Sequence, residues 1–266
     1  MLRLFRVAHV DLVVAALTAA FLVACGSTPG PATAPTASPD TVTGAINVFA
    51  AASLTGAFKD EGAAFQTKHP KSNLTFNFAG SASLVTSINN GAPADVFASA
   101  DQPNMDRVVN AGNATSSPAN FATNKLQIVV PASNPKGIRG LADLANPGTV
   151  VILCAPAVPC GNYANQALSK AGVKVTPKSQ EQDVNAVVSK VSLGEADAGI
   201  VYVTDVKAAG GKVQGVDIPD AQNVIASYPM ATVRGGANPK GGAAFFDFVL
   251  SSPGQAILVN YGFSQV

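Results

Sequence analysis
Val48-Phe49-Ala50-Ala51-Ala52-Ser53-Leu54-Thr55-Gly56-Ala57-Phe58 is the stretch whose reading decides the fold. The β-rich run from Ile46 to Ala50 ends in small residues and a serine, and the pattern turns helical from Leu54 to about Thr67. A serine at such a junction is a natural N-cap, and its hydroxyl and the free N–H groups of the first turn face the same point. The order repeats in Leu74-Thr75-Phe76-Asn77-Phe78-Ala79-Gly80-Ser81-Ala82-Ser83-Leu84: strand, small residues, serine, helix. Two junctions of this kind can converge on one anion without any cationic side chain.

Working outward, strand and helix signals alternate along the chain, the pattern of an α/β fold with mostly parallel strands. The first set reads strand 45–50, helix 53–67, strand 73–78, helix 82–90, strand 95–98 and helix 102–110. A second set reads helix 140–144, strand 149–153, helix 160–171, strand 173–176, helix 181–193 and strand 198–201. Between and after them lie two long extended runs, Asn124 to Pro131 and Ser227 to Arg234, and helices near 239–250 and 253–260 close the chain. Two α/β sets joined by two extended segments predict a two-lobed clamshell. Lobe one spans 43–122 and 232–266, lobe two spans 126–228, and hinge crossovers lie at 122–131 and 226–234. The ligand cleft is expected between the lobes, at strand carboxyl ends.

The front of the chain reads as a targeting segment. Residues 1–24 carry Arg3 and Arg6 and then an apolar run from Leu12 to Ala24, too short and too early for a transmembrane anchor. The ending Leu22-Val23-Ala24-Cys25-Gly26 resembles the bacterial lipoprotein cleavage box, in which the cysteine becomes the lipidated first residue. Residues 26–42 hold Pro29, Pro31, Pro35 and Pro39 and almost nothing large and apolar, so 25–42 is expected to be a lipidated cysteine and a disordered tether.

Composition narrows the function. Removing 1–24 takes away Arg3, Arg6 and Asp11 and leaves acidic and basic residues in balance, with no electrostatic footprint for nucleic acid. Only 12% of residues are charged and there is no tryptophan, while Ala and Gly are abundant, which suits helices packed closely on a sheet. Beyond Cys25 the cysteines are Cys154 and Cys160, separated by Ala-Pro-Ala-Val-Pro. In an oxidising compartment they either close a small loop as a disulfide or remain two buried thiols.

The usual parts of an enzyme are missing. Beyond residue 24 the only histidine is His69, beside Pro70 at a helix end, and there is no Gly-x-Ser-x-Gly elbow. A zinc site is equally ill supplied, and neither a phosphate loop nor a dinucleotide-binding glycine motif is present. What remains is a set of helix starts: Ser53, Gly80-Ser81, Pro159-Cys160-Gly161 and Gln182-Asp183-Val184, with Tyr202 at the end of the apolar strand Ala198-Gly-Ile-Val-Tyr202.

From about Ile46 to Phe263 the chain resembles the substrate-binding proteins of bacterial molybdate ABC transporters, which have the type II periplasmic binding protein fold. The resemblance is carried by Val48 to Thr55, Phe78 to Leu84, Gly-Ala-Pro-Ala-Asp-Val-Phe-Ala-Ser-Ala-Asp (91–101), Val-Pro-Cys-Gly-Asn-Tyr-Ala (158–164), Asp183-Val184, Gly199 to Tyr202 and Tyr261-Gly-Phe263. It implies an anion site made of Ser53, Ser81, the backbone N–H groups of Cys160 and Val184, and the Tyr202 hydroxyl. Cys160 stands where alanine is common in that family, and Gly80 where serine is common. No ligand role passes to Asp95 or Asp101, which are expected to serve caps or turns.

The resemblance further implies an exported, monomeric lipoprotein, held at the outer face of the cell membrane through Cys25, that passes molybdate or tungstate to an ABC permease with its ATPase. No cofactor and no directly coordinated metal are expected, since molybdenum arrives as its oxyanion. Molybdate is a deprotonated tetrahedral dianion whose oxygens only accept hydrogen bonds, so hydroxyl and amide donors suit it. Protonated phosphate would want an acceptor, for which Asp183 is the only candidate. Sulfate, with the same charge and shape, is the rival ligand. A secreted serine hydrolase using Ser53 or Ser81 and a purely structural lipoprotein are the readings from other classes.

Overall fold
The computed structural model describes residues 41–266. The expected leader 1–24, the lipidation site Cys25 and nearly all of the tether 25–42 lie outside them. In chain order the elements are β1 (Gly44–Ala51), α1 (Thr55–Lys68), β2 (Ser72–Ala79), α2 (Ser81–Asn89), β3 (Val96–Ala98), α3 (Gln102–Asn110) and β4 (Ala119–Pro131). Then come β5 (Val151–Cys154), α4 (Pro159–Lys170), β6 (Ser179–Glu181), α5 (Val184–Ser192), β7 (Ala198–Tyr202), α6 (Val203–Ala209), β8 (Val213–Asp217), β9 (Ile225–Thr232), α7 (Pro239–Leu250) and α8 (Ser252–Tyr261).

The strands form one curled sheet in the order β2-β1-β3-β9-β4-β7-β5-β6, with β8 also on β4. Within each α/β set the pairings are parallel: β1 with β2 and β3, β5 with β6 and β7. Every antiparallel pairing involves β4 or β9, the two extended runs. Along β4 the partner changes: residues 119–125 pair with β9, whereas Leu126 onward pairs with β7 and β8. The fold is therefore mixed α/β, flanked by helices on both faces.

The faces explain the sequence of β1. It lies between β2 and β3 and is buried on both sides, so it reads as a nearly unbroken apolar run. Ile46, Val48 and Ala50 face the cluster containing α1 and α7, while Phe49 joins Leu84, Val85, Ile88, Met105 and Val108 of α2 and α3. The buried face of α1 carries Ala57, Phe58, Glu61, Gly62 and Phe65. Phe58 and Phe65 pack edge-on against Phe245 of α7 at 5.8 and 5.5 Å. Glu61 lies on that same face, fully buried, and neither carboxyl oxygen has a hydrogen-bond partner.

Three expectations are corrected. The strand expected at 173–176 is absent: Val173 and Val175 pack on the core from a loop, which imitates strand alternation, and the edge strand is β6 at Ser179–Glu181. The helix expected from 181 consequently begins at Val184, capped by the Asp183 carboxylate, which accepts from the Ala186 N–H at 3.0 Å. The helix expected at 140–144 is a 3-10 turn, Leu141–Ala145. Helix α6 and strand β8 have no counterpart in the sequence reading.

Candidate functional site
One small cavity is lined by Ala51, Ala52, Ser53, Gly80, Ser81, Ala100, Val158, Pro159, Cys160, Val184 and Tyr202. It lies at the carboxyl ends of β1, β2 and β7, where open α/β sheets place ligands. All five residues of the expected anion site are in its wall. The space open to the centre of a water-sized sphere is only about 10 Å³, near the room one water needs. The cavity is small and its walls are close together.

The two serines are not caps, which corrects the first reading of the junctions. Ser53 sits in a 3-10 turn, Ala52–Leu54, that makes no side-chain cap bond. Its Oγ lies 3.0 Å from the Tyr228 hydroxyl. Ser81 is the first residue of α2, and its Oγ accepts from the Ala100 N–H at 3.1 Å. With that lone pair occupied, the Ser81 proton is left to donate. From the second α/β set, Cys160 is in the first turn of α4 behind Pro159, and Val184 is the first residue of α5. First-turn N–H groups have no intrahelical acceptor, and they bring the positive end of the helix dipole to the cavity.

Tyr202 ends β7 with its ring 1% exposed, and its hydroxyl has no hydrogen-bond partner. Burial first, then neighbouring tyrosines and carboxylates, push its ionisation well above the ordinary tyrosine range, so the group is a neutral donor. No Lys, Arg or His lines the cavity. Nor does a free carboxylate: Asp183 is engaged as the cap of α5, and Asp101 accepts from the backbone and side chain of Asn104 at 3.1 and 2.9 Å. Asp95 is not a cap; it accepts from the Asn47 and Asn238 N–H groups at 2.8 and 2.7 Å, tying β1 to the start of α7. The site therefore offers hydrogen-bond donors.

The walls meet closely. The Asn185 side chain donates to the Ala52 carbonyl at 3.1 Å, and Asn104 to the Ala157 carbonyl at 3.4 Å. Gly80 faces the Gln182 carbonyl oxygen so tightly that a Cβ would collide with it. Cys154 and Cys160 form a disulfide, Cα to Cα 5.8 Å, which ties the end of β5 to the first turn of α4. Tyr228 and Asn124, behind Ser53, were not singled out from sequence; only their place in the two extended runs pointed near them.

The arrangement has no hydrolytic base. His69 follows the far end of α1, its ring tilted against Phe65 with centroids 4.6 Å apart, a whole helix away from Ser53. Among the described residues no three His, Cys, Asp or Glu side chains cluster as a metal site.

The chain is similar to known proteins along nearly its whole described length. Residues 46–264 match the family model described as bacterial extracellular solute-binding protein. The chain is 43% identical over 252 residues to the molybdate-binding protein ModA of Mycobacterium tuberculosis (strain H37Rv), covering 95% of this chain and 96% of that one. Among solved structures it superposes on the periplasmic molybdate-binding protein of Azotobacter vinelandii with a TM-score of 0.71 at 21% identity, covering 83% and 99% of the two chains. The sulfate-binding protein SubI of Mycobacterium tuberculosis H37Rv gives 0.75 at 22% identity, covering 84% and 87%. At these identities both structures speak to the fold alone. The chain is a binding protein, not an enzyme: it belongs to the bacterial extracellular solute-binding proteins and, among them, to the family of the molybdate-binding protein ModA.

Proposed function
We propose that this chain captures molybdate in the cavity and delivers it to an ABC permease. The ligand set is the hydroxyls of Ser53, Ser81 and Tyr202 with the N–H groups of Cys160 and Val184. The observation that carries the reading is the Tyr202 hydroxyl, buried in a donor-lined cavity without a partner. A buried unpaired hydroxyl costs stability, and an anion in the cavity would remove that cost. A dianion with four acceptor oxygens and no proton matches a site of donors, and tungstate shares that chemistry.

In this reading 43–122 with 232–266 and 126–228 act as two lobes, hinged at 122–131 and 226–234, and closure brings Cys160 and Val184 onto an anion first met by Ser53 and Ser81. Cys25 supplies a lipid anchor, residues 26–42 give the monomer its reach to the permease, and among the described residues no single helix is long and apolar enough to cross a membrane.

Calorimetric titration of the ligand-stripped chain with molybdate, tungstate, sulfate and phosphate tests the proposal. One-to-one binding of molybdate and tungstate, with sulfate and phosphate silent, is expected. Heat from sulfate but none from molybdate would make this a sulfate receptor.

A further inference from the structure
Ser53 is bonded to a group outside the cavity wall. The Tyr228 side chain on β9 is fully buried, and its hydroxyl lies 3.0 Å from Ser53 Oγ and 3.4 Å from Asn124 Nδ2. That amide nitrogen also donates to Thr204 Oγ1 at 2.8 Å, and Asn124 Oδ1 accepts from the Lys125 N–H at 3.0 Å. The Asn124 amide is thus fixed in orientation, with nitrogen toward Tyr228. The Tyr228 ring is held on three sides, by Phe121, Tyr202 and Phe263 at centroid distances of 6.2, 5.9 and 5.3 Å.

Hydrogen-bond bookkeeping fixes the direction of this chain. An amide nitrogen only donates, so the Tyr228 oxygen accepts from Asn124; the acceptor within hydrogen-bond distance for its own buried proton is then Ser53 Oγ, and donation there leaves no buried hydroxyl unsatisfied. Ser53 Oγ then accepts from Tyr228, and its own proton points to the cavity. We propose that Tyr228 and Asn124 are positioning residues that hold Ser53 as a donor toward the bound anion. Burial keeps the Tyr228 proton in place, raising its ionisation far above the ordinary range. Donors in series polarise one another, which strengthens the last bond in the chain. The arrangement also joins the site to both extended strands, since Asn124 is on β4 and Tyr228 on β9. This inference rests on the anion-binding reading given above.

A double-mutant cycle on the full chain, with molybdate as the probe, tests it. Wild type, Ser53→Ala, Tyr228→Phe and the double variant are titrated by calorimetry, and the melting midpoint of each is measured. If the tyrosine acts through the serine, Tyr228→Phe weakens binding about tenfold in the wild-type background and less than twofold when Ser53 is already alanine. Equal losses in the two backgrounds would make Tyr228 a merely structural residue and overturn the inference, as would no loss at all. Should Tyr228→Phe fail to fold, Asn124→Leu interrupts the same relay and is held to the same pattern. A wild-type chain silent toward molybdate would overturn the ligand reading itself, a result distinct from an intact wild type with additive variants.

Discussion

Glu61 gives the sharpest test of the energetics. It lies on the core face of α1 beside Phe58 and Phe65, fully buried, with both carboxyl oxygens unpartnered. Burial alone pushes its ionisation from the ordinary 4.5 up to about 9. Below the lower value the group is protonated in the folded and unfolded chain, and its ionisation costs nothing. Between the two values only the folded chain keeps the proton, so stability falls with rising pH by about 1.4 kcal/mol per pH unit. Above about 9 both states are ionised and the penalty levels off. Glu61→Met keeps the volume and removes the titration. Urea unfolding of both proteins between about pH 5.5 and about pH 8 should therefore show the variant gaining about 3 kcal/mol on the wild type across that range. A constant gap between the two proteins would mean that the carboxyl reaches water or a partner, and the reasoning would be refuted.

Tyr202→Phe should weaken molybdate binding by about 1–3 kcal/mol while leaving the ligand-free chain at least as stable, because the lost hydroxyl has no partner there; calorimetry and thermal melts read both. Gly80→Ala places a methyl group against the Gln182 carbonyl; molybdate affinity should drop at least about tenfold, the cost of forcing the walls apart, and solution scattering of the loaded variant should show a larger radius than wild type. Replacing both Cys154 and Cys160 by serine opens a bridge spanning a sequence separation of 6. Chain entropy for so short a loop predicts a loss of about 2 kcal/mol in urea unfolding, and reductant should lower the wild type toward the variant but leave the variant unmoved.

How much of this was legible in the sequence depended on whether local pattern and tertiary role coincided. Val48 to Phe58 and Leu74 to Leu84 gave strand, junction and helix because one apolar face dictated each element, and the five expected site residues do line one cavity. The same junctions misled about the hydroxyls. A serine before a helix reads as a cap, but Ser53 and Ser81 engage Tyr228 and the Ala100 N–H, partners distant in sequence. Val173 and Val175 alternate like a strand only because a loop lays them on the core. Glu61 follows Lys59 and Asp60 in a charged run, yet the fold turns it inward. Strand β8 was illegible because its pairing depends on β4, and Gly215 and Asp217 are poor strand formers.

Because β4 passes its hydrogen bonds from β9 to β7 and β8 between Lys125 and Leu126, one continuous sheet joins the two α/β sets. If the two sets act as the proposed lobes, extra twist in β4 and β9 is the natural way for the walls to part. In that reading the Asn185 and Asn104 side chains leave two carbonyls that water can serve as well. Under the two-lobed proposal, the bound anion supplies the energy that keeps the walls together. Under the same proposal shape reports loading, and a permease that grips the closed form has little to hold on an empty carrier.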